Sequence, residues 1–150
     1  MHVEGDGYVC GDLFCTASQA YWGDLAEIYR ADADYEPGTL VKLGGEKEIT
    51  VASESEANAV ITSNPGFVLN YGDKEEEEGV FFKGIALTGR VPVRVKGVVE
   101  KFGKIYLSDE PGIGTTQKPS EDSKVIGRAL ESKATEDVDL VECTVQLTLD

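Results

Sequence analysis

Histidine and cysteine are scarce in this chain, and their scarcity excludes several kinds of catalytic and metal site. His2 is the one histidine among 150 residues, and the three cysteines, Cys10, Cys15 and Cys143, form no Cys-x-x-Cys pair. A structural zinc site needs about four converging ligands, and a catalytic triad or Cys-His pair needs a histidine that is held in place. We therefore expect no catalytic, cofactor-binding or metal site, and reduced, partly buried thiols.

Basic residues and long apolar runs are also few. The chain carries 14 Lys and Arg against 28 Asp and Glu, a formal net charge of −14, and this excess repels phosphate backbones and anionic membranes. No stretch approaches the roughly 20 apolar residues of a transmembrane helix, and positions 1–20 lack the basic residues and the apolar run of a signal peptide. We expect a protein made in the cytoplasm that neither binds nucleic acid nor inserts into a membrane.

Phosphate-binding motifs are missing as well, and acidic residues are too numerous for a chance carboxylate pair to indicate catalysis. Neither a P-loop nor a Gly-x-Gly-x-x-Gly segment occurs. Among the acids, Asp24 and Glu27 have a distinctive setting next to Tyr21, Trp22 and Tyr29. Such carboxyl groups could form an acidic site, but they also cap or hydrogen-bond turns, and we interpret these two as structural. The chain is therefore not expected to be an enzyme.

The chain does contain a series of short β-strand patterns. With 150 residues, of which 41% are hydrophobic, it can bury roughly 70% of its unfolded surface on folding as one domain. Turn residues separate the apolar segments, which predicts roughly eight strands and a mainly β fold, a compact β-barrel or sandwich. The segments are 39–43, 48–52, 57–62, 67–69, 80–87, 89–97, 105–107, 124–130 and 140–149.

Alternation of apolar and polar residues is clearest in residues 140–149. It places Cys143 on the apolar face, so we expect this thiol to be a small, buried apolar filler. Val91, Val93 and Val95 form a second alternating face. Because Pro92 has no N–H to donate, its strand is predicted to lie at an edge of the sheet or to bend there.

Three segments depart from the strand pattern. Apolar residues within 18–34 fall near helical spacing, which predicts a short helical turn. Residues 114–123 are predicted to form a polar loop. The run Glu75-Glu76-Glu77-Glu78 is interpreted as the solvated tip of a hairpin rather than a cation site, because calcium sites alternate carboxylates with other oxygen ligands.

The first residues contain a weak repeat. Gly5-Asp6 recurs six residues later as Gly11-Asp12. Short strands between such corners cannot bury their apolar side alone, which indicates either a stem intertwined with other chains or one or two strands on the edge of the domain. We divide the chain into an extended N-terminal Gly-Asp stem or arm over residues 1–20 and a compact β domain over residues 21–150.

Several short motifs, taken in order, resemble a known family. They include Asp24-Leu25-Ala26-Glu27, Tyr35-Glu36-Pro37-Gly38, Gly44-Gly45, Ser63-Asn64-Pro65, Gly89-Arg90-Val91-Pro92 and Ile126-Gly127-Arg128. Together they resemble the C-terminal domain of tail fibres from tailed bacteriophages, many of them phages of cyanobacteria, over about residues 20–147. The resemblance implies a virion structural protein, usually a homotrimer, in which a stem rich in Gly-Asp or Gly-Asn precedes the domain.

Two of these stretches are also similar to a self-cleaving intramolecular chaperone domain at the end of some phage appendage proteins. In that domain a Ser just before an Ala-Asp pair serves cleavage, with a Glu downstream. Here Trp22 and Gly23 stand at the matching positions, while Glu27 is retained. The resemblance therefore implies the type of domain without its cleavage serine.

We expect a trimeric virion structural protein that contacts other virion proteins. It would be a tail-fibre tip or, since 150 residues are far fewer than a complete long fibre has, a capsid decoration module. Two other functions stay open, a self-processing chaperone and a module that binds host-surface carbohydrate. The carbohydrate binder would use Trp22, Tyr21, Tyr71 and Phe67 as stacking aromatics, although such residues more often pack in a core.

Overall fold

Strands account for all the regular structure. The computed structural model describes residues 4–15, 19–54 and 56–149, and these residues form ten β-strands and no helix. The strands are β1 (Asp24–Ala31), β2 (Leu40–Leu43), β3 (Ile49–Val51), β4 (Ala59–Thr62), β5 (Phe67–Leu69), β6 (Phe81–Lys96), β7 (Lys104–Leu107), β8 (Gly114–Thr115), β9 (Gly127–Ala129) and β10 (Asp139–Gln146). The predicted β fold is confirmed. A search of the described residues finds no helix with the length and apolarity needed to cross a membrane.

The longest strand, β6, pairs with four other strands. β10 runs antiparallel along one flank of β6 from Thr88 to Val95, and β8 pairs in parallel with the opposite flank from Val95 onward. β9 joins β10 to β7, and β7 joins β8. These five strands close a barrel in the order β6-β10-β9-β7-β8, so of the two predicted forms the barrel is the one present.

The first half of β6 belongs to a second circuit of strands. β1 runs antiparallel to it from Phe81 to Gly89, and β4 pairs with Gly84 and Ile85 on the other flank. β2 and β3 connect β4 to β1, and β5 adds to β1 in parallel. A small core unites the circuit, with at least one side chain from each of its five strands. Its members are Ala31, Val41, Ile49, Ala59, Ile61 and Ile85.

The larger core contains the buried faces of the neighbouring strands β6 and β10, together with side chains of β2, β4, β7 and β9. Val91, Val93 and Val95 are at most 1% exposed, and in the register Val93 pairs with Val141 and Val91 with Cys143. The inward-facing thiol is therefore confirmed, and the predicted alternation is confirmed from Val141 to Val145. The strand ends at Gln146, and Leu149, predicted on the apolar face, is exposed. Full burial of a valine or leucine side chain contributes about 1.5–3 kcal/mol, so this pair of faces is a main source of stability.

The predicted helical turn within residues 18–34 is wrong, because residues 24–31 form strand β1. β1 pairs with β6 along its whole length, and its Ala26 and Ala31 are fully buried. Backbone pairing and burial against a neighbouring strand outweigh the weak local spacing that favoured a helix. The loop predicted over residues 114–123 begins with strand β8. This strand has two residues, which are too few to show an alternation of apolar and polar residues in the sequence.

The segments 80–87 and 89–97 are predicted as two strands but form the single strand β6. Gly89 lies at the predicted break and has φ of +120°, a conformation that glycine adopts at little cost. The register of β1 shifts by one residue nearby, between Leu25 and Ala26. Such a bulge bends a strand pair without ending it, which is why the glycine does not terminate β6.

The acidic run 75–78 is exposed, as predicted, but it does not lie at a hairpin tip. β5 and β6 flank the run, and both pair with β1 rather than with each other. The run therefore lies in a connection from one side of β1 to the other. Glu77 forms an ion pair with Arg30, and its Oε1 lies 3.6 Å from Nζ of Lys47.

Residues 4–15 form no strand, and every one of them is exposed. The repeated glycines, Gly5 and Gly11, have φ of +100° and +125°, so the repeat in the sequence recurs in the backbone. No edge strand is present within residues 4–15, and the stem stays a prediction. The boundary between residues 20 and 21 stays a prediction.

The cysteines of this segment differ from expectation. Cys10 and Cys15 are exposed rather than partly buried, as is every residue of 4–15. His2 and the other residues of 1–3 and 16–18 lie outside the described residues.

Candidate binding site beside Asp24

Asp24 is a buried carboxyl group with an unmet hydrogen bond. It opens β1 and is 6% exposed, and its Oδ2 has no hydrogen-bond partner within the described residues. Burial raises the pKa of Asp24 above its ordinary value of 3.8, while the hydroxyl of Thr62 beside it acts in the opposite direction. Buried polar atoms are nearly always paired, so this atom marks a place where a partner can bind.

A gap in the strand pairing lies next to Asp24. On one flank of β6, β1 ends opposite Gly89 and β8 begins opposite Val95. Between them the N–H of Arg90 donates to the carbonyl oxygen of Gly23, and the N–H of Arg94 donates to that of Gly38, both over 2.9 Å. N–H groups of alternate residues in a strand point to the same flank, so position 92 faces the gap between the N–H groups of Arg90 and Arg94. No strand pairs there, and the missing N–H of Pro92 therefore breaks no hydrogen bond between strands. This gap is the local edge that the proline predicts.

A cavity of about 370 Å³ opens over this gap. It collects residues from the start of β1, the end of β4, the middle of β6 and the facing part of β10. The lining residues that bear on its chemistry are Tyr21, Trp22, Asp24, Asn64, Arg90 and Glu142. The volume is typical of a small-molecule site, and the mixture of aromatic and polar side chains provides both an apolar surface and hydrogen bonds.

Two aromatic side chains stand at the opening. Tyr21 is 90% exposed and Trp22 is 54% exposed. Their rings meet edge to face, with centroids 4.9 Å apart and an interplanar angle of 83°, a preferred geometry for aromatic pairs. The pair therefore presents exposed aromatic surface at a cavity that Asp24 also lines.

The other charged groups of the cavity largely compensate each other. Nε of Arg90 lies 3.9 Å from Oε1 of Glu142 across the β6–β10 pair. Asp24, the other acid of the lining, has a buried oxygen, Oδ2, without a hydrogen-bond partner in the described part of the chain. Within residues 4–15, 19–54 and 56–149, no group of three His, Cys, Asp or Glu side chains could hold a metal ion.

The structure separates the acidic residues that the sequence places together. Asp24 lies in the cavity with Tyr21 and Trp22, whereas Glu27 and Tyr29 do not line it. The hydroxyl of Tyr29 donates to Oε2 of Glu27 over 3.1 Å, and burial together with that carboxylate raises the pKa of Tyr29. Glu27 is therefore structural, as interpreted, but the side chain of Asp24 is not satisfied by the turn.

All four candidate stacking aromatics are on the surface. Phe67 and Tyr71 are 64% and 77% exposed, like the pair at the cavity, so core packing is the wrong interpretation for each of them. Neither Phe67 nor Tyr71 lines the cavity. Sequence reasoning missed Arg90, Pro92 and Asn64 as cavity residues, although all three belong to motifs that carry the family resemblance.

The fold of this chain also occurs in a bacteriophage protein. No model of a known protein family matches the chain, and no curated protein matches it. Among solved structures, the crystal structure of the pre-mature bacteriophage phi29 gene product 12 is similar, with a TM-score of 0.67 and 15% sequence identity. The similarity covers 91% of this chain and 23% of that chain. This chain thus has the fold of one part of a longer phage protein, whereas the resemblance to cyanophage tail fibres rests on sequence motifs.

Proposed function

We propose that this chain is a structural protein of a bacteriophage virion that assembles as a homotrimer, as a tail-fibre tip or as a capsid decoration module. The observation that carries the proposal is the fold, which is shared over 91% of the chain with part of phi29 gene product 12. The ordered motifs of the sequence point to the same class of protein. On this proposal the protein acts by assembly in the virion with other virion proteins, without catalysis, nucleic-acid binding or membrane insertion.

Exposed apolar side chains in the stem support self-association. Tyr8, Leu13 and Phe14 are 88%, 72% and 90% exposed. An apolar side chain contributes about 1.5–3 kcal/mol when it is fully buried, and the described part of one chain leaves these three uncovered. Three stems side by side would cover them, in keeping with the stem that the repeat predicts. The net charge of −14 opposes this association.

Native mass spectrometry and light scattering of the full chain test the proposal. We expect a species at three times the 16.2 kDa of one chain. Its fraction should rise with ionic strength, because salt screens the repulsion between acidic copies. A chain that stays monomeric at micromolar concentration at both low and high salt contradicts the trimer. Immunogold electron microscopy of the source phage then distinguishes tail from capsid, and particles without label contradict a place in the virion.

Recognition of a host-surface glycan is a second candidate function, favoured by the exposure of the four aromatics. Tyr21, Trp22, Phe67 and Tyr71 offer apolar faces to solvent rather than to the core. The C–H groups on one face of a sugar ring can pack against such surfaces and bury apolar area. Screening the labelled wild-type chain on a glycan array tests this candidate, and the absence of binding across the array contradicts it without affecting the virion proposal.

A further inference from the structure

We propose that the cavity beside Asp24 binds one neutral hexose, with the sugar ring packed against Trp22 and a sugar hydroxyl hydrogen-bonded to Oδ2 of Asp24. The inference rests on the glycan-binding candidate and gives that function a site and a chemistry. It distinguishes between the exposed aromatics, because Tyr21 and Trp22 line the cavity whereas Phe67 and Tyr71 do not.

The unmet hydrogen bond of Asp24 is the first support. The residue is 6% exposed, and Oδ2 has no partner in the described part of the chain. A hydroxyl group both donates and accepts, so it pairs with a carboxyl group in either protonation state. Burial raises the pKa of Asp24, and a hydroxyl group satisfies Oδ2 on either side of that pKa.

The position of Trp22 is the second support. Its side chain lines the cavity and keeps 54% of its surface exposed. The edge-to-face contact with Tyr21 favours one orientation of the indole ring, which lowers the side-chain entropy lost when a ligand packs on it. A sugar ring has an apolar face for the indole and hydroxyl groups at its edge, which are the two features that this cavity can satisfy together.

Charge selects a neutral sugar over an anionic one. Arg90 and Glu142 compensate each other across the cavity wall, which leaves Asp24 as the uncompensated acid of the lining, in a chain whose net charge is −14. An acidic sugar would be repelled. A simple amine could pair with Asp24 but has no flat apolar face for Trp22, so it forms the contrasting arm of the test. The volume of about 370 Å³ suits a single ring.

The only tryptophan of the chain is Trp22, so intrinsic fluorescence reports directly on this site. We would titrate the wild-type chain with methyl glycosides of glucose, galactose, mannose and N-acetylglucosamine, and separately with butylamine. A ligand of about a dozen heavy atoms that gains about 0.3 kcal/mol of binding free energy per heavy atom has a dissociation constant on the order of 1 mM. At least one glycoside should therefore give a saturable change of fluorescence below about 100 mM.

Four variants locate the binding, measured by ligand-observed saturation-transfer NMR with the fold checked by circular dichroism. Asp24→Asn should weaken binding about tenfold, because a bond to a charged group is stronger than one to an amide. Trp22→Ala should abolish binding, whereas Trp22→Phe, which keeps an aromatic face, should retain it within a few fold. Tyr71→Ala removes an exposed aromatic outside the cavity and should leave the affinity unchanged.

Three results would overturn the inference. Failure of every glycoside to saturate the wild-type chain contradicts hexose binding, while the trimer and the virion proposal stand on their own tests. Binding that survives Asp24→Asn and Trp22→Ala unchanged but is lost in Tyr71→Ala places the glycan site elsewhere. Saturation by butylamine as tight as that by any glycoside identifies the cavity as a cation site instead.

Discussion

Gly66 lies directly against the backbone of Trp22. A Cβ atom at Gly66 would fall 2.3 Å from the carbonyl oxygen of Trp22, and the N–H of Gly66 donates to the carbonyl oxygen of Asp24 over 2.8 Å. The turn between β4 and β5 therefore holds both residues on which the candidate site depends, and it leaves no room for a larger side chain.

Gly66→Ala should destabilise the fold and displace Trp22. The added methyl group must move backbone atoms, and overpacking of this kind costs about 1–3 kcal/mol. Urea unfolding measures the loss, and a shift of the Trp22 emission maximum reports the displacement. Gly72→Ala is the matched control, because a Cβ there meets nothing within 4 Å and should change stability by less than about 0.5 kcal/mol. Equal effects of the two variants would show that the close contact is not restrictive.

Asp24→Asn should stabilise the protein at neutral pH and lose this advantage in acid. Burial raises the pKa of the folded-state carboxyl above 3.8, so the folded chain holds its proton more tightly than the unfolded chain. The stability of the wild type therefore falls as pH rises from about 4 through the folded pKa. An amide carries no charge to desolvate, and the gain at pH 7 is expected to be about 1–3 kcal/mol.

The comparison requires a control for charge alone, since removal of one negative charge also relieves repulsion in a chain of net charge −14. Asp73→Asn makes the same change at an exposed position. Urea unfolding of both variants at pH 3 and pH 7 separates the two effects. If Asp73→Asn gains as much as Asp24→Asn, burial of the carboxyl is not the cause.

The β-strands that could be predicted are those bounded by turn residues or marked by alternation of apolar and polar residues. β10 and the Val91-to-Val95 part of β6 are neighbours in the sheet and each bury one face in the larger core, so their period of two is visible without a partner. β1 could not be recognised in this way, because β5 and β6 cover its flanks and its interior positions are alanines. Its conformation depends on strands 40 or more residues away in sequence.

The candidate site was predictable only in part. Asp24, Tyr21 and Trp22 are adjacent in sequence, and their distinctive composition was visible. Arg90 and Glu142 come together only because β6 and β10 pair at this point, and this register follows from the closed barrel. The exposure of the aromatics was also missed, since composition alone cannot distinguish a surface aromatic from a core residue.

The three thiols should differ sharply in reactivity. Cys143 is fully buried, and burial, followed by the nearby charges of Glu142 and Glu131, raises its pKa to about 12. The thiolate is the reactive form, so this residue should resist a disulfide reagent at pH 8. Cys10 and Cys15 are exposed. We expect two thiols per reduced chain to react at once with Ellman's reagent and the third to react only in denaturant. Immediate reaction of all three thiols would contradict the buried position of Cys143.

Leu13→Ser combined with Phe14→Ser should dissociate the trimer and leave the β domain intact. Both side chains are among the most exposed apolar groups of the chain, and burial of each between copies contributes about 1.5–3 kcal/mol. Loss of both should weaken association at least about a hundredfold, because 1.4 kcal/mol corresponds to a factor of ten. Native mass spectrometry measures the association, and circular dichroism follows the domain. Val98→Ser with Val125→Ser removes two exposed apolar groups outside the stem and should preserve the trimer. The reverse pattern would place the contacts between copies on the β domain, and the exposed stem would then need another partner in the virion.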